Sequence, residues 1–207
     1  MNFGDDTMLT SLAVFAATGA LAGFLAGLLG IGGGMVLVPA LIFSFEAQGV
    51  SPSVLTHLAI GTSLASIVLT SISSVRTHHA QGGVDIALFK RLAIGLVIGS
   101  WFGAQIAHAL PARTLQLIIG IFAVWTGLRM FRGSKPIAAD APPPSATELN
   151  AVGGLIGVAS AIFGIGGGSL MVPYLVKQGV AMRRAVGTAA ACGFPIAIAG
   201  MIGFIYS

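Results

Sequence analysis

Five stretches of this chain carry no Asp, Glu, Lys or Arg: Thr7 to Phe45, Ala47 to Val75, Leu92 to Ala112, Leu149 to Val176 and Ala185 to Ser207. Each has 21 or more residues, and a helix crossing a bilayer core of about 30 Å needs about 20. Lipid offers the backbone no hydrogen-bond partners, so apolar segments of this length cross it as helices. Composition closes the alternatives. Charged residues make up 8% of the 207, hydrophobic residues 56%, and the mean hydropathy is +0.96. A soluble domain carries about 25% charged residues, and so apolar a chain cannot stay solvated as a disordered one. The class is an all-α polytopic membrane protein. Asp5 and Asp6 with no basic run do not read as a cleaved signal peptide. One cysteine, Cys192, excludes an internal disulfide framework and reads as packing.

The pattern predicts a first segment over about 8–29, a glycine break, and a short segment over about 35–46 holding Pro39. Further segments follow at about 53–75, 86–109 and 112–131, with a polar, basic loop from Arg76 to Arg91. Residues 133–147 form a Pro-rich linker, because Pro142-Pro143-Pro144 cannot be helical core. Beyond it come segments at about 148–163, 169–177 (with Pro173) and 185–206.

Past the linker the sequence repeats itself. Residues 23–39 read GFLAGLLGIGGGMVLVP and residues 157–173 read GVASAIFGIGGGSLMVP, with 8 identities in 17 at a shift of 134. Gln48-Gly49-Val50 returns as Gln178-Gly179-Val180, and Ala59-Ile60-Gly61-Thr62 as Ala185-Val186-Gly187-Thr188. An ordered series through three blocks marks an internal duplication. The expected organisation is a first transmembrane repeat at 1–132, a cytoplasmic linker at 133–147 and a second, incomplete repeat at 148–207. On the last alignment Ser207 matches Gln81, so counterparts of about 82–131 are absent from the second copy.

Basic loops lie on the cytoplasmic side. Arg76, Lys90 and Arg91 place the 76–91 loop inside, and Arg129, Arg132 and Lys135 place the linker there; Arg113 stands against this pattern. Lys177, Arg183 and Arg184 put inside a loop whose first-copy counterpart is outside. The copies then have inverted topology, the plan of many secondary transporters. The same topology accounts for the net charge of +4, so no nucleic-acid partner is expected. Residues 35–46 would span only about 18 Å as a helix at 1.5 Å per residue. Each copy should therefore open with a re-entrant helical hairpin that turns at its glycines, and the two tips should meet near the midplane.

Glycine lets bare backbone N–H groups face a solute. The helix that follows each tip adds its unsatisfied amides and the positive end of its dipole. Two such termini make an anion site without arginine. The expected substrate-binding residues are Gly30, Gly32, Gly33 and Gly34 in the first tip and Gly164, Gly166, Gly167, Gly168 and Ser169 in the second. Thr62, Ser63 and Thr188 are expected as hydroxyl donors on the helices that follow. Pro39, Pro173 and Pro195 are hinge or structural positions, with Pro195 placed to kink the last helix. His57 is the proton-sensitive candidate. The GxxxG series at Gly19, Gly23, Gly27 and at Gly95, Gly99, Gly103 reads as helix packing. His78-His79 reads as a solvated pair in a loop, so no metal is expected, and no cofactor. The breaks fail GxGxxG at Met35 and Ser169, and no GxxxxGK[ST] occurs, so the motifs argue poorly for nucleotide binding. With no cluster of acid, base and nucleophile, the chain does not read as an enzyme.

These residues resemble the sulfite exporter TauE/SafE family of membrane permeases. The resemblance rests on the paired GIGGG…VP elements (Gly30 to Pro39, Gly164 to Pro173), the Ala-x-Gly-Thr elements, and Gly83-Val84-Asp85. It implies movement of sulfur-containing anions, such as sulfite or organosulfonates, across the inner membrane. The partners are then the small anionic substrate and the lipid bilayer. A homo-oligomer or further C-terminal segments would supply what the second copy lacks, and the alternative reading is a non-transporting or truncated membrane subunit. Export is downhill, since an interior-negative potential favours anion efflux by about 2.3 kcal/mol per charge per 100 mV.

Overall fold

The computed structural model describes residues 16, 17, 19–21, 23, 24, 34–131 and 145–206. The first segment beyond its few described residues, the glycines Gly30, Gly32 and Gly33, and the Pro-rich stretch of the linker lie outside that set. Among the described residues every regular element is a helix. They are α1 (Gly34–Ala47), α2 (Leu55–Ala80), α3 (Ile86–Ala109), α4 (Ala112–Phe131), α5 (Ala146–Phe163), α6 (Gly168–Lys177) and α7 (Met182–Ile205).

Four of these, α2, α3, α5 and α7, are long and apolar enough to cross a membrane. At 1.5 Å per residue the 14 residues of α1 and the 10 of α6 reach only about 21 and 15 Å. Both short helices hold a proline at the same place, Pro39 and Pro173, each the sixth residue of its helix. Neither proline interrupts its helix, and α7 likewise runs through Pro195. Each proline removes one i→i−4 bond, leaving the carbonyls of Met35, Ser169 and Ala191 without that donor.

Local signals set the helix starts. Ser145 caps α5 in a reciprocal box with Glu148: Ser145 Oγ accepts from Glu148 N (3.2 Å), and Glu148 Oε2 accepts from Ser145 N (2.8 Å). Asp85 caps α3 by accepting from Leu88 N at 3.0 Å. Pro111 directly precedes α4, and its carbonyl accepts from Leu115 N at 3.0 Å. One boundary departs from the sequence reading. The segment expected to end near 75 continues to Ala80, so His78 and His79 sit in the last turn of α2 and the connecting loop is only 81–85. A hydropathy reading stops at the first charge, Arg76. A helix has no reason to stop there, because its backbone bonds persist where it leaves lipid.

The helices pack into one body. The broadest interface is α3 against α5, and α7 lies against α3 and α2, with α1 on α2 and α6 on α7. The α3–α5 contact is a small-residue seam. A Cβ on Gly95 would lie 2.1 Å from Asn150 O, and one on Gly99 2.1 Å from Gly154 O. The Gly95–Gly99–Gly103 series therefore packs helix on helix, as GxxxG series do. Of the other series Gly27 lies outside the described residues, and a Cβ at Gly19 or Gly23 would meet no described residue within 4 Å. Large apolar side chains point outward along the long helices, among them Leu69 on α2, Trp101 and Phe102 on α3, and Leu155 on α5. That surface suits lipid.

Candidate functional site

The second glycine break joins α5 to α6, and its geometry is fully described. Helix α5 ends on Gly164, whose φ of 65° is left-handed. The turn closes with Ile165 N donating to Ser160 O (2.8 Å) and Gly164 N to Ala161 O (3.3 Å). The chain then passes through Gly166 to Gly167, left-handed again at φ 76°, and enters α6 at Gly168. Gly167 O accepts from Leu170 N and Met171 N at 3.2 and 2.8 Å. Two positive-φ residues in four reverse the chain within a handful of residues, and only glycine takes both without strain.

Four helices surround this break. From α1, a Cβ on Gly34 would fall 2.2 Å from Gly164 O and 2.8 Å from Ile165 Cα. The last glycine of the first GIGGG thus touches the start of the second with nothing between. From α2, Ser63 Oγ donates to Gly164 O at 2.8 Å, and Ile60 and Ile67 line the turn. From α7, Gly193 approaches Gly166 O and Ile196 approaches Gly167. From α5 itself, Ser160 Oγ would lie 3.6 Å from a Cβ on Gly167. Ile60, Ser63, Ser160 and Ile196 are all fully buried.

No formal charge belongs to this part of the sequence, since Leu149 to Val176 and Ala185 to Ser207 hold no ionisable acid or base other than Tyr174, Cys192 and Tyr206. The electrostatics come from the backbone. Helix α6 presents its first amides and the positive end of its dipole beside the break. Two hydroxyls add to them: Ser160 Oγ and Ser169 Oγ are buried and have no hydrogen-bond partner among the described residues. A buried polar group left unpaired costs about 1–3 kcal/mol. The behaviour of α2 makes this unusual. There Ser66, Thr70, Ser71 and Thr77 all donate to carbonyls of their own helix, three or four residues back. Thr126, in the body of α4, shares the unpaired condition.

The structure brings Gly34, Ser63, Gly164, Gly166, Gly167, Gly168 and Ser169 together. It gives Ser63's only proton to Gly164 O, so this serine fastens the turn and offers a solute no donor. Thr62, next to it on α2, is half-buried, and its carbonyl accepts from Ser66 Oγ at 2.9 Å. Thr188 lies elsewhere. It is fully buried near the start of α7, where its Oγ1 accepts from Asp85 N at 2.9 Å. It belongs to a latch between the 81–85 loop and α7, in which Arg183 donates to Gln81 O, Gly187 abuts Gly83 and Arg184 lies 3.8 Å from Asp85. His57 sits in the first turn of α2, its Nε2 3.1 Å from Ala107 O and its ring 6.3 Å from that of His108. A carbonyl only accepts, so Nε2 carries the proton. Sequence reasoning passed over Ser160. Its first-copy counterpart is Ala26, so a search guided by repeated residues discards it; the available signal was a hydroxyl one turn before the break.

Comparison with known proteins places the chain. The family model described as Sulfite exporter TauE/SafE matches residues 15–207. A Haemophilus influenzae protein named "Probable membrane transporter protein" is 37% identical over 202 residues, covering 97% of this chain and 76% of the relative. Bacillus subtilis "Probable membrane transporter protein YunE" is 31% identical, covering 80% and 67%. A Xylella fastidiosa "Probable membrane transporter protein" is 32% identical, covering 81% and 64%. The chain thus spans from just under two thirds to about three quarters of the length of these relatives. No solved structure matches it.

Proposed function

The chain belongs to the sulfite exporter TauE/SafE family of membrane transporters, and from that premise we propose that it is a permease, not an enzyme, exporting a small sulfur-containing anion across the inner membrane. Sulfite and organosulfonates are the substrate class. The two repeats, 1–132 and 148–207, are inverted, and access alternates around their paired glycine breaks. The anion is held by backbone amides of Gly166, Gly167 and Gly168 and the hydroxyl of Ser169, with the amides of Gly30, Gly32, Gly33 and Gly34 and the hydroxyl of Thr62 as the first copy's contribution. Glycine is required because any side chain there would stand between amide and solute. Pro39, Pro173 and Pro195 supply the places where helices flex.

The observation that carries this reading is the contact of Gly34 with Gly164 and Ile165. It sets the end of one glycine element against the start of the other, beside a helix N-terminus, with no formal charge among the residues at that contact. An anion entering there meets dipoles and N–H donors and no carboxylate to repel it. A cation would need buried acidic groups, which the spans lack.

The test is flux. Purified protein in liposomes should move radiolabelled sulfite, and the movement should quicken when the compartment losing anion is made electrically negative. No movement of sulfite, methanesulfonate or thiosulfate under any imposed gradient would remove the reading.

A further inference from the structure

The second break holds two buried hydroxyls with no hydrogen-bond partner among the described residues. Ser160, on the last turns of α5, is fully buried with Oγ unpartnered, and Ser169, the second residue of α6, has its Oγ equally enclosed and unpartnered. Serine in an apolar helix ordinarily bonds its own backbone, as Ser66 and Ser71 do here. Ser160 does not, although the carbonyl four residues back is in reach of any helical serine. Its Oγ instead faces Gly167, 3.6 Å from the position a Cβ would take there. Gly167 is the N-cap of α6, so Ser160 points at a helix N-terminus. That terminus leads a helix of 10 residues, long enough to carry a dipole.

We propose that Ser160 and Ser169 clamp one oxyanion head from two sides at the N-terminus of α6, making the second break the head-group subsite of the transported anion. This rests on the anion-permease reading above and sharpens it in two ways. It adds Ser160, and it makes the site one-sided. The first copy has Ala26 and Met35 at the positions of Ser160 and Ser169. It can offer amides but no hydroxyl, and its Met35 gives a soft apolar surface instead. The substrate class that fits is an oxyanion whose several oxygens can take two hydroxyls and the α6 amides at once, with any organic remainder on the Met35 side. Ile67, Ile156 and Ile196, all buried, wall the second break, and such a dry enclosure strengthens each hydrogen bond to a charged oxygen.

An unused buried donor has a particular mutational signature. Removing it should leave the unliganded protein as stable as before or more so, while weakening the ligand. The experiment measures sulfite and methanesulfonate binding by calorimetry, and melting temperature with and without anion, on the full chain in detergent. Ser160→Ala and Ser169→Ala should each bind sulfite about tenfold more weakly and the double variant about a hundredfold, the scale of one and two hydrogen bonds to a charged group. Both single variants should melt, without anion, at or above the wild-type temperature. Ser71→Ala, which removes a hydroxyl bonded to its own helix, should bind as wild type does. If wild type binds and transports sulfite while both Ala variants match it, the clamp is wrong and the permease reading stands. A Ser160→Ala protein that unfolds or melts well below wild type also overturns the clamp, because its hydroxyl would then be structural. A wild type that neither binds nor moves any of these anions overturns the permease reading and the clamp with it.

Discussion

The same five residues, GIGGG, occur at 30–34 and 164–168, and the two copies are furnished differently. Where they meet, the first contributes a contact with no side chain at all: Gly34 rests on the backbone of Gly164 and Ile165. The second contributes two left-handed glycines, the start of α6 and two unpaired hydroxyls. The short helices behind them share their length class and the place of their proline. Duplication thus preserved what shapes the backbone, namely glycine and proline. It let the flanking side chains diverge, with Ala26 and Met35 against Ser160 and Ser169. A glycine contact tolerates no drift because the missing atom is the function, whereas a hydroxyl can be gained on one side alone.

The hardest test of that contrast is to add one carbon to each copy. Gly34→Ala puts a Cβ 2.2 Å from a backbone oxygen, which cannot move without displacing the turn. Overpacking of this kind costs about 3 kcal/mol, and the melting temperature should fall by several degrees with transport lost. Gly167→Ala meets a softer obstacle, the far end of Ile196 at 2.6 Å, plus a positive φ of 76°. Left-handed backbone costs an L-residue about 1–2 kcal/mol, so this variant should be the milder in stability and still fail in transport. Gly61→Ala, with open space around it, should do neither. Equal behaviour of all three in a thermal melt and a flux assay would erase the distinction between contact and filler.

A smaller effect probes the hydrogen bond that holds the second turn to α2. Ser63→Ala leaves the buried Gly164 carbonyl without its 2.8 Å donor. The expected loss is about 1–2 kcal/mol in chemical denaturation. Sulfite affinity should change far less than in Ser160→Ala, because Ser63 gives its proton to the protein and not to the solute. A larger affinity loss in Ser63→Ala than in Ser160→Ala would reverse the roles assigned to these two serines.

Much of the architecture was legible because membrane helices write themselves in hydropathy. Helices α3 and α4 fall where the segments at 86–109 and 112–131 were expected, and α6 starts one residue from its expected position. The error at the end of α2 came from taking charge as a helix stop, when Arg76 marks only where apolar surface ends. In the candidate site the glycines could be read because their backbone role repeats. The duties of the hydroxyls could not. Ser63, Ser160 and Thr188 are each a small polar residue in an apolar helix, and sequence alone cannot say which faces a carbonyl, an amide or nothing. The structure separates them by rotation about the helix axis: adjacent Thr62 and Ser63 point about 100° apart at 3.6 residues per turn, so only Ser63 reaches Gly164.

That separation yields the smallest prediction, on the repeated Ala-x-Gly-Thr element. Thr188 accepts the amide proton of Asp85, and Asp85 in turn caps α3. Thr188→Val keeps shape and volume but leaves that amide, in a part-buried site, without an acceptor. The loss should be about 1 kcal/mol, seen as faster hydrogen exchange at Asp85 and an earlier melt. Arg184→Gln removes only the 3.8 Å approach to Asp85, between two side chains that are 59% and 27% exposed, and should shift stability by less than Thr188→Val does. Thr62→Val has no such amide to strand; its expected effect is on sulfite transport with stability near wild type. If Thr188→Val instead weakens sulfite binding at unchanged stability, while Thr62→Val destabilises, the matching threonines have exchanged roles. The latch at 81–85 would then belong to the anion path, and the break at 164–168 would lose its claim to be the side of the molecule where chemistry diverged.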